Sequence, residues 1–403
     1  MVAALGAVLA MGLVAAPLAA QRRPVTGRPA VEPAPAGWGR FIAAFDGYTV
    51  ADGVVGGRVM VLRQGRVVGD HRVGLGDRER GTPPAPDAVY HWASITKTLT
   101  AIAIMQLRDR GRLSLDDPIT RWVPELRLIH DPFGPVDRVT LRMLLSHSGG
   151  FQNPTWPYGE GRPWEPFEPT RWEQLVAMMP YQEIAFPPGT KFSYSNPGFV
   201  YLGRVIESVT GDPWAVYIQK NIWTPLGLTR SFVGTSPYHL APLRAASYTI
   251  HQDDGRTRTE ANPREFDPGI TIPNSGWNAP MSDLVTYLGF LSGAMGDDSA
   301  QVRRGAAVLR RASLEEMWRP VVPLGTGAPD EAFGLSFYLY RRSGTTVVGH
   351  TGEQSGFRSF FFLDPATTTG VIGILNTTNE ARPEQSNAGW DWLIHQAVAL
   401  VAP

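Results

Sequence analysis

The chain has no cysteine in its 403 residues. That absence excludes disulfides, cysteine-ligated metal and a lipidated cysteine, while leaving the compartment open. Lysine is almost missing too: only three of the 37 basic residues are lysines, Lys97, Lys191 and Lys220. Net charge is also absent, because 37 acidic residues offset the 37 basic ones through the same segments. Without a basic stripe there is no electrostatic footprint for nucleic acid or acidic lipid, and no nucleic-acid partner is expected. The histidines show no His-x-x-His or His-Glu-x-x-His spacing, and no lysine follows a glycine as a phosphate loop requires. Neither a metal nor a nucleotide cofactor is therefore expected. A Gly-x-Ser-x-Gly elbow is lacking as well, so His147 in Ser146-His147-Ser148-Gly149-Gly150 reads as structural rather than as a triad member.

What the chain does hold is a lysine three places after a serine, in Ser94-Ile95-Thr96-Lys97. Arginine stays protonated at any relevant pH, whereas lysine in an apolar, electropositive setting can lose its proton and serve as a base. The run from Thr98 to Leu107 has no glycine or proline, carries Leu99, Ile102, Ile104 and Met105, and stops near Gly111, which predicts a helix from about residue 94. On a helix, side chains at i and i+3 share a face, so the Ser94 hydroxyl and Lys97 amine come within hydrogen-bond reach. Ser94 would occupy the first turn, where free N–H groups and the positive helix end favour a developing oxyanion and disfavour a charge on Lys97.

Two further patterns follow, Tyr194-Ser195-Asn196 and His350-Thr351-Gly352. With Ser94-Ile95-Thr96-Lys97 they resemble the three signature elements of serine β-lactamases and penicillin-binding proteins. The tyrosine version resembles the class C branch, which also holds D-aminopeptidases, DD-peptidases and β-lactamase-like esterases. The likeness covers Tyr90 to Leu126, Val139 to Phe151 and Phe186 to Ser231, and about three quarters of the chain fits, from near residue 40 to the end.

The resemblance implies a serine hydrolase acting on a small-molecule ester, amide or D-amino-acid peptide through an acyl-enzyme. A true β-lactamase and a non-catalytic penicillin-recognising or cell-wall-binding relative are the alternatives. Ser94 would attack the carbonyl, and Lys97 would take or relay its proton. Tyr194, a phenol easier to ionise beside an ammonium, would share the base work and return the proton to the leaving group. Which of the two is the initial base stays open. Asn196 would fix the lysine or bind a substrate amide. His350 stands where many relatives carry lysine; there it would donate to an ester oxygen or a carboxylate and change charge near neutral pH. Thr351 accompanies it on the same strand, and Gly352 lets substrate approach closely. The N–H groups of Ser94 and Glu353 would form the oxyanion hole. Glu353 departs from the small or hydroxylic residue usual at its position. Its carboxylate would repel a substrate carboxylate and favour neutral esters over cephalosporins, unless strand alternation turns it away.

The expected fold class is α/β (α+β). Gly57 to Val73 reads as a hairpin turning at Gln64-Gly65, and Phe357 to Leu375 reads as another turning around Asp364-Pro365, followed by an amphipathic tail helix from about Asn387. The resemblance joins both into one antiparallel sheet flanked by helices, built from residues 38–115 and 281–403, with a mostly helical domain at 116–280 and the active site between them. The apolar residues 1–20 read as a signal peptide or anchor and 21–37 as a linker. The expectation is an exported, periplasmic or secreted protein, membrane-bound only if that segment is retained. Trp156, Tyr158, Trp164, Phe167 and Trp172 stand among prolines between Phe151 and Ala185, as a pocket wall or a packed lid.

Overall fold

Both predicted hairpins form. β1 (Gly56–Arg63) and β2 (Arg66–Gly74) turn at Gln64-Gly65, where both residues have positive φ. β11 (Phe357–Asp364) and β12 (Thr369–Leu375) pair antiparallel around Asp364-Pro365. In this computed structural model, which describes residues 33–151, 169–265, 267–295 and 299–403, the two hairpins join edge to edge through β1 and β12. Residues 1–32, including the expected signal segment, lie outside the described residues, as do Trp156, Tyr158, Trp164 and Phe167. Among the described residues no helix is long and apolar enough to cross a membrane.

Between the hairpins along the chain come β3 (Val89–His91), β4 (Tyr248–Asp253), β5 (Arg256–Ala261), β6 (Asn278–Pro280), β7 (Val322–Pro323), β8 (Glu331–Phe333), β9 (Tyr338–Arg342) and β10 (Thr345–Gln354). An eight-stranded sheet runs in the order β2-β1-β12-β11-β10-β9-β8-β7, and every neighbouring pair is antiparallel. β13 (Thr377–Asn379) pairs parallel with β4, which forms a hairpin with β5 inside the stretch expected to be mostly helical.

The central strand β11 is buried along its whole length. That explains the apolar run at 360–363, since a strand covered on both faces has no polar side to show, while its polar members Arg358, Ser359 and Asp364 are hydrogen-bonded. Its alternation divides the core. Phe360 and Phe362 pack with Phe41, Phe45, Trp390 and Leu393 of the N-terminal helix Trp38–Asp52 and the C-terminal helix Pro383–Val401. Phe357, Phe361 and Leu363 face the larger core that holds Ile95, Leu99 and Ile102. The helix carrying these last residues, Thr96–Asp109, is buried at every position from Thr96 to Leu107. It runs through the middle of the molecule, so its polar members Thr96, Lys97, Thr98, Thr100 and Gln106 are each hydrogen-bonded.

Candidate active site

Ser94 lies in a 3₁₀ turn, Ala93–Ile95, that leads directly into the helix Thr96–Asp109, so it stands just ahead of the α-helix rather than inside its first turn. Ala93 has φ +49°, a left-handed conformation that strains a non-glycine residue and turns the chain sharply out of β3. Thr96 holds the turn: its hydroxyl donates to the Ala93 carbonyl at 2.6 Å and accepts from the Trp277 N–H at 2.9 Å.

The i, i+3 geometry survives the tighter turn. Lys97 Nζ is 3.0 Å from Ser94 Oγ, 2.8 Å from Asn196 Oδ1 and 3.0 Å from the Asn274 carbonyl oxygen. The amine is fully buried, and burial drives its pKa well below the ordinary 10.5. Asn274, in the helical turn Ile272–Ser275, was not foreseen. It contributes a backbone carbonyl, which leaves no side-chain signature in sequence.

Tyr194-Ser195-Asn196 precedes the helix Asn196–Thr210, with Ser195 as its N-cap accepting from the Gly198 N–H at 3.2 Å. Pro197 at the start of that helix suits the cap, because its missing N–H has no partner to lose there. The Tyr194 ring lies 4.9 Å from Lys97 Nζ, and its hydroxyl bonds the Ser94 side chain. Its pKa is not eased as expected: burial pushes the phenol well above 10, and Ser94 only partly offsets this. His147 has the structural place read from sequence. Its Nδ1 accepts from the Ser195 N–H at 3.1 Å, and its ring packs 4.2 Å from that of Tyr194.

β10 carries His350, Thr351, Gly352 and Glu353 past the end of β9, whose last pairing is Tyr338 with Gly349. A Cβ on Gly352 would lie 2.4 Å from the Trp92 carbonyl and 3.1 Å from the Ser94 nitrogen, so only glycine lets this strand pack against the Ser94 turn. The hairpin β10–β11 closes through Ser355 (φ +50°) and Gly356 (φ +77°), a two-residue loop that makes Gln354 and Phe357 a hydrogen-bonded pair. Antiparallel pairs alternate, so Glu353 directs its N–H away from β11 to the open edge beside Ser94. The backbone donors expected of Ser94 and Glu353 are thus neighbours.

Two expectations about these side chains need correction. His350 is fully buried and its pKa falls to about 3, chiefly through desolvation and then the charge of Lys97, so it does not change charge near neutral pH. Nor is it a ready donor to substrate. Its Nδ1 lies 2.5 Å from the Thr351 carbonyl and must carry the ring proton, which leaves Nε2 as an acceptor without a partner among the described residues. Glu353, for its part, points to the sheet face covered by the terminal helices. There it pairs with its cross-strand neighbour Arg358 at 2.8 Å. Arg358 is only 2% exposed and also donates to Tyr48 Oη, Ser386 Oγ and Asn387 Oδ1. Repulsion of a substrate carboxylate by Glu353 therefore fails for the reason strand alternation supplies. Glu353→Gln should leave the ratio of cephalosporin to ester kcat/KM unmoved and lower stability by roughly 1–2 kcal/mol, because it leaves a buried guanidinium less paired. Denaturant unfolding and the two substrates check both halves.

Trp172, the described member of the aromatic stretch, packs near Tyr201 and under Arg204, and donates from Nε1 to Glu125 at 3.4 Å, which is a packing role. Among the described residues, no three histidine or carboxylate side chains converge as a metal site.

Acid sensitivity follows from these environments. His350 and His147 are both held neutral far below the usual histidine range, so neither supplies an acid limb in kcat/KM between pH 5 and 8; with Lys97 as the base, activity would be lost as pH falls through the lysine's pKa. His350→Asn should leave the limb where it is. A limb that disappears in that variant would assign the titration to histidine.

The sequence profile of the Beta-lactamase family matches residues 40–396. Among curated proteins, Esterase EstB of Burkholderia gladioli is 33% identical over 85% of this chain and 91% of its own. Among solved structures, an octameric penicillin-binding protein homologue from Pyrococcus abyssi superposes with a TM-score of 0.69 at 26% identity, covering 89% of this chain and 77% of that one. D-amino acid amidase from Ochrobactrum anthropi SV3 shares the fold with a TM-score of 0.67 at 23% identity, over 89% of this chain and 99% of that one. With the Ser-Lys, Tyr-Ser-Asn and His-Thr-Gly elements brought together on the beta-lactamase/transpeptidase-like fold, the chain belongs to the beta-lactamase family of serine hydrolases.

Proposed function

We propose that this enzyme cleaves carboxylic esters through an acyl-enzyme on Ser94, with Lys97 as the initial base. The observation that carries the reading is the set of partners around the lysine amine. Asn196 Oδ1 and the Asn274 carbonyl can only accept, so they take two N–H bonds. A neutral amine has two, and its lone pair is then left for the Ser94 hydroxyl 3.0 Å away. The depressed pKa of Lys97 supports the same protonation state.

Ser94 Oγ attacks the ester carbonyl while its proton passes to Lys97 Nζ, and the carbonyl oxygen becomes an oxyanion held by the N–H groups of Ser94 and Glu353. Such donors are each worth about a hundred- to a thousand-fold in rate. Collapse of the tetrahedral species breaks the bond to the leaving oxygen. Tyr194, whose high pKa keeps it protonated, donates to that oxygen and regains a proton from the Lys97 ammonium. Water then attacks the acyl-enzyme by the same path in reverse. The likeness to Esterase EstB supports esters over amides. The purified protein should release p-nitrophenol from short acyl p-nitrophenyl esters faster than it turns over D-amino-acid amides or a chromogenic cephalosporin. Efficient cephalosporin turnover with little esterase activity would move the assignment to a true β-lactamase.

A further inference from the structure

The loop Ser146-His147-Ser148-Gly149-Gly150, which follows the helix Leu141–Leu145, supplies no group to the reaction, yet it is stitched to the chain that leads into Tyr194. The Ala185 N–H donates to the Gly150 carbonyl at 2.9 Å and the Gly189 N–H to the Ser148 carbonyl at 2.7 Å. His147 makes the contacts nearest the reaction centre. Its backbone carbonyl accepts from the Ser193 N–H at 2.8 Å, and its Nδ1 accepts from the Ser195 N–H at 3.1 Å. One residue thus holds the backbone on both sides of Tyr194. Its ring also lies 4.2 Å from the phenol ring, and is itself packed by Phe199 and Phe333 at 5.1 and 5.0 Å.

This arrangement carries two costs that packing alone does not require. His147 has φ +54°, a left-handed conformation unfavourable for a residue with a Cβ. Because Nδ1 accepts, the ring proton sits on Nε2, and that N–H is buried without a partner among the described residues. Phenylalanine would fill the space without an orphaned N–H of its own, but it would leave the buried Ser195 N–H with no acceptor. Asparagine would accept that bond and adopt a positive φ more readily, but it has no ring to set against Tyr194. Histidine supplies both the acceptor and the ring. Burial, together with the charges of Lys97 and His350, keeps its imidazole neutral and so keeps Nδ1 free to accept.

Resting on the reading of Tyr194 as the acid for the leaving oxygen, we propose that His147 is a positioning residue, which fixes the phenol where it can pass its proton to the departing group. It takes no part in the proton transfer. The hydroxyl of Tyr194 already bonds the Ser94 side chain, and a phenol that drifts loses its reach to the leaving oxygen first, because that oxygen is present only during the reaction.

The test compares ethyl butyrate, whose alkoxide must be protonated as it leaves, with p-nitrophenyl butyrate, whose phenol is acidic enough to leave as the anion. For both esters kcat/KM reports acylation, followed in a pH-stat. His147→Phe should lower kcat/KM about a hundredfold on the ethyl ester and no more than about threefold on the p-nitrophenyl ester, as loss of a general acid does. His147→Asn, which keeps an acceptor at the Nδ1 position, should show the same split reduced to about tenfold. Added to Tyr194→Phe, it should cost the ethyl ester nothing further, since both substitutions remove one function. Equal losses on the two esters, losses that add to those of Tyr194→Phe, or no loss in either variant would make His147 a packing residue and overturn the proposal, while leaving Tyr194 its role. Should circular dichroism show His147→Phe unfolded, His147→Asn decides alone, and its own failure to fold would likewise overturn the proposal. Equal losses on both esters in Tyr194→Phe would overturn the acid role of Tyr194 and the positioning of it by His147 together.

Discussion

Lys97→Arg should lower kcat/KM on a p-nitrophenyl ester by about ten-thousand-fold or more, the scale on which a nucleophile–base unit fails when one member is removed. The substitution keeps a positive charge but removes the amine that, when neutral, can accept the Ser94 proton, since a guanidinium does not give up its proton in a protein. Lys97 is fully buried, with its amine shared among Ser94, Asn196 and Asn274. A larger cation in that space adds strain, so circular dichroism must show the variant folded; should it not fold, Lys97→Gln is the smaller replacement. Turnover within tenfold of the wild type in a folded variant would reduce Lys97 to a packing and electrostatic residue.

Ser94→Ala should abolish labelling by a fluorophosphonate probe and lower ester turnover by about a millionfold. The other serines of interest are poor rivals. Ser146 and Ser148 are buried, bonded to each other at 2.9 Å and to the backbone carbonyls of the preceding helical turn. Ser94 alone combines the lysine neighbour, the Tyr194 hydroxyl and the strained turn set by Ala93. Mass spectrometry of the labelled protein should therefore find one adduct, on the peptide carrying Ser94. An adduct that persists in Ser94→Ala, or that maps to Ser146 or Ser148, would remove the mechanism.

The parts of this protein legible without coordinates were those encoded by neighbours along the chain. The Ser94–Lys97 pairing follows from three-residue spacing, and it holds even though the turn is 3₁₀ rather than α because both geometries bring i and i+3 onto one side. The β1–β2 and β11–β12 hairpins followed from alternation and turn chemistry, and the tail helix from its periodicity, though it begins at Pro383, four residues earlier than read. The edge strand β7 and its neighbour β8, with two and three residues, carry too little periodic signal to stand out. The β4–β5 hairpin does carry a local signal, its Asp254-Gly255 turn, which the resemblance to a helical segment masked.

Tertiary structure decided what depends on which side chains end up buried together. His350 has an ordinary histidine's chemistry in sequence; only burial beside Lys97 makes it neutral down to about pH 3. Glu353 was read by position in a motif, yet the pleat of β10 sends its side chain to Arg358 and its N–H towards Ser94. The Asn274 carbonyl comes from a segment remote from every motif. Short-range spacing could specify the Ser94–Lys97 contact because both residues lie on one turn. Protonation state and the third partner of the lysine arise from desolvation and long-range packing, which no local pattern records.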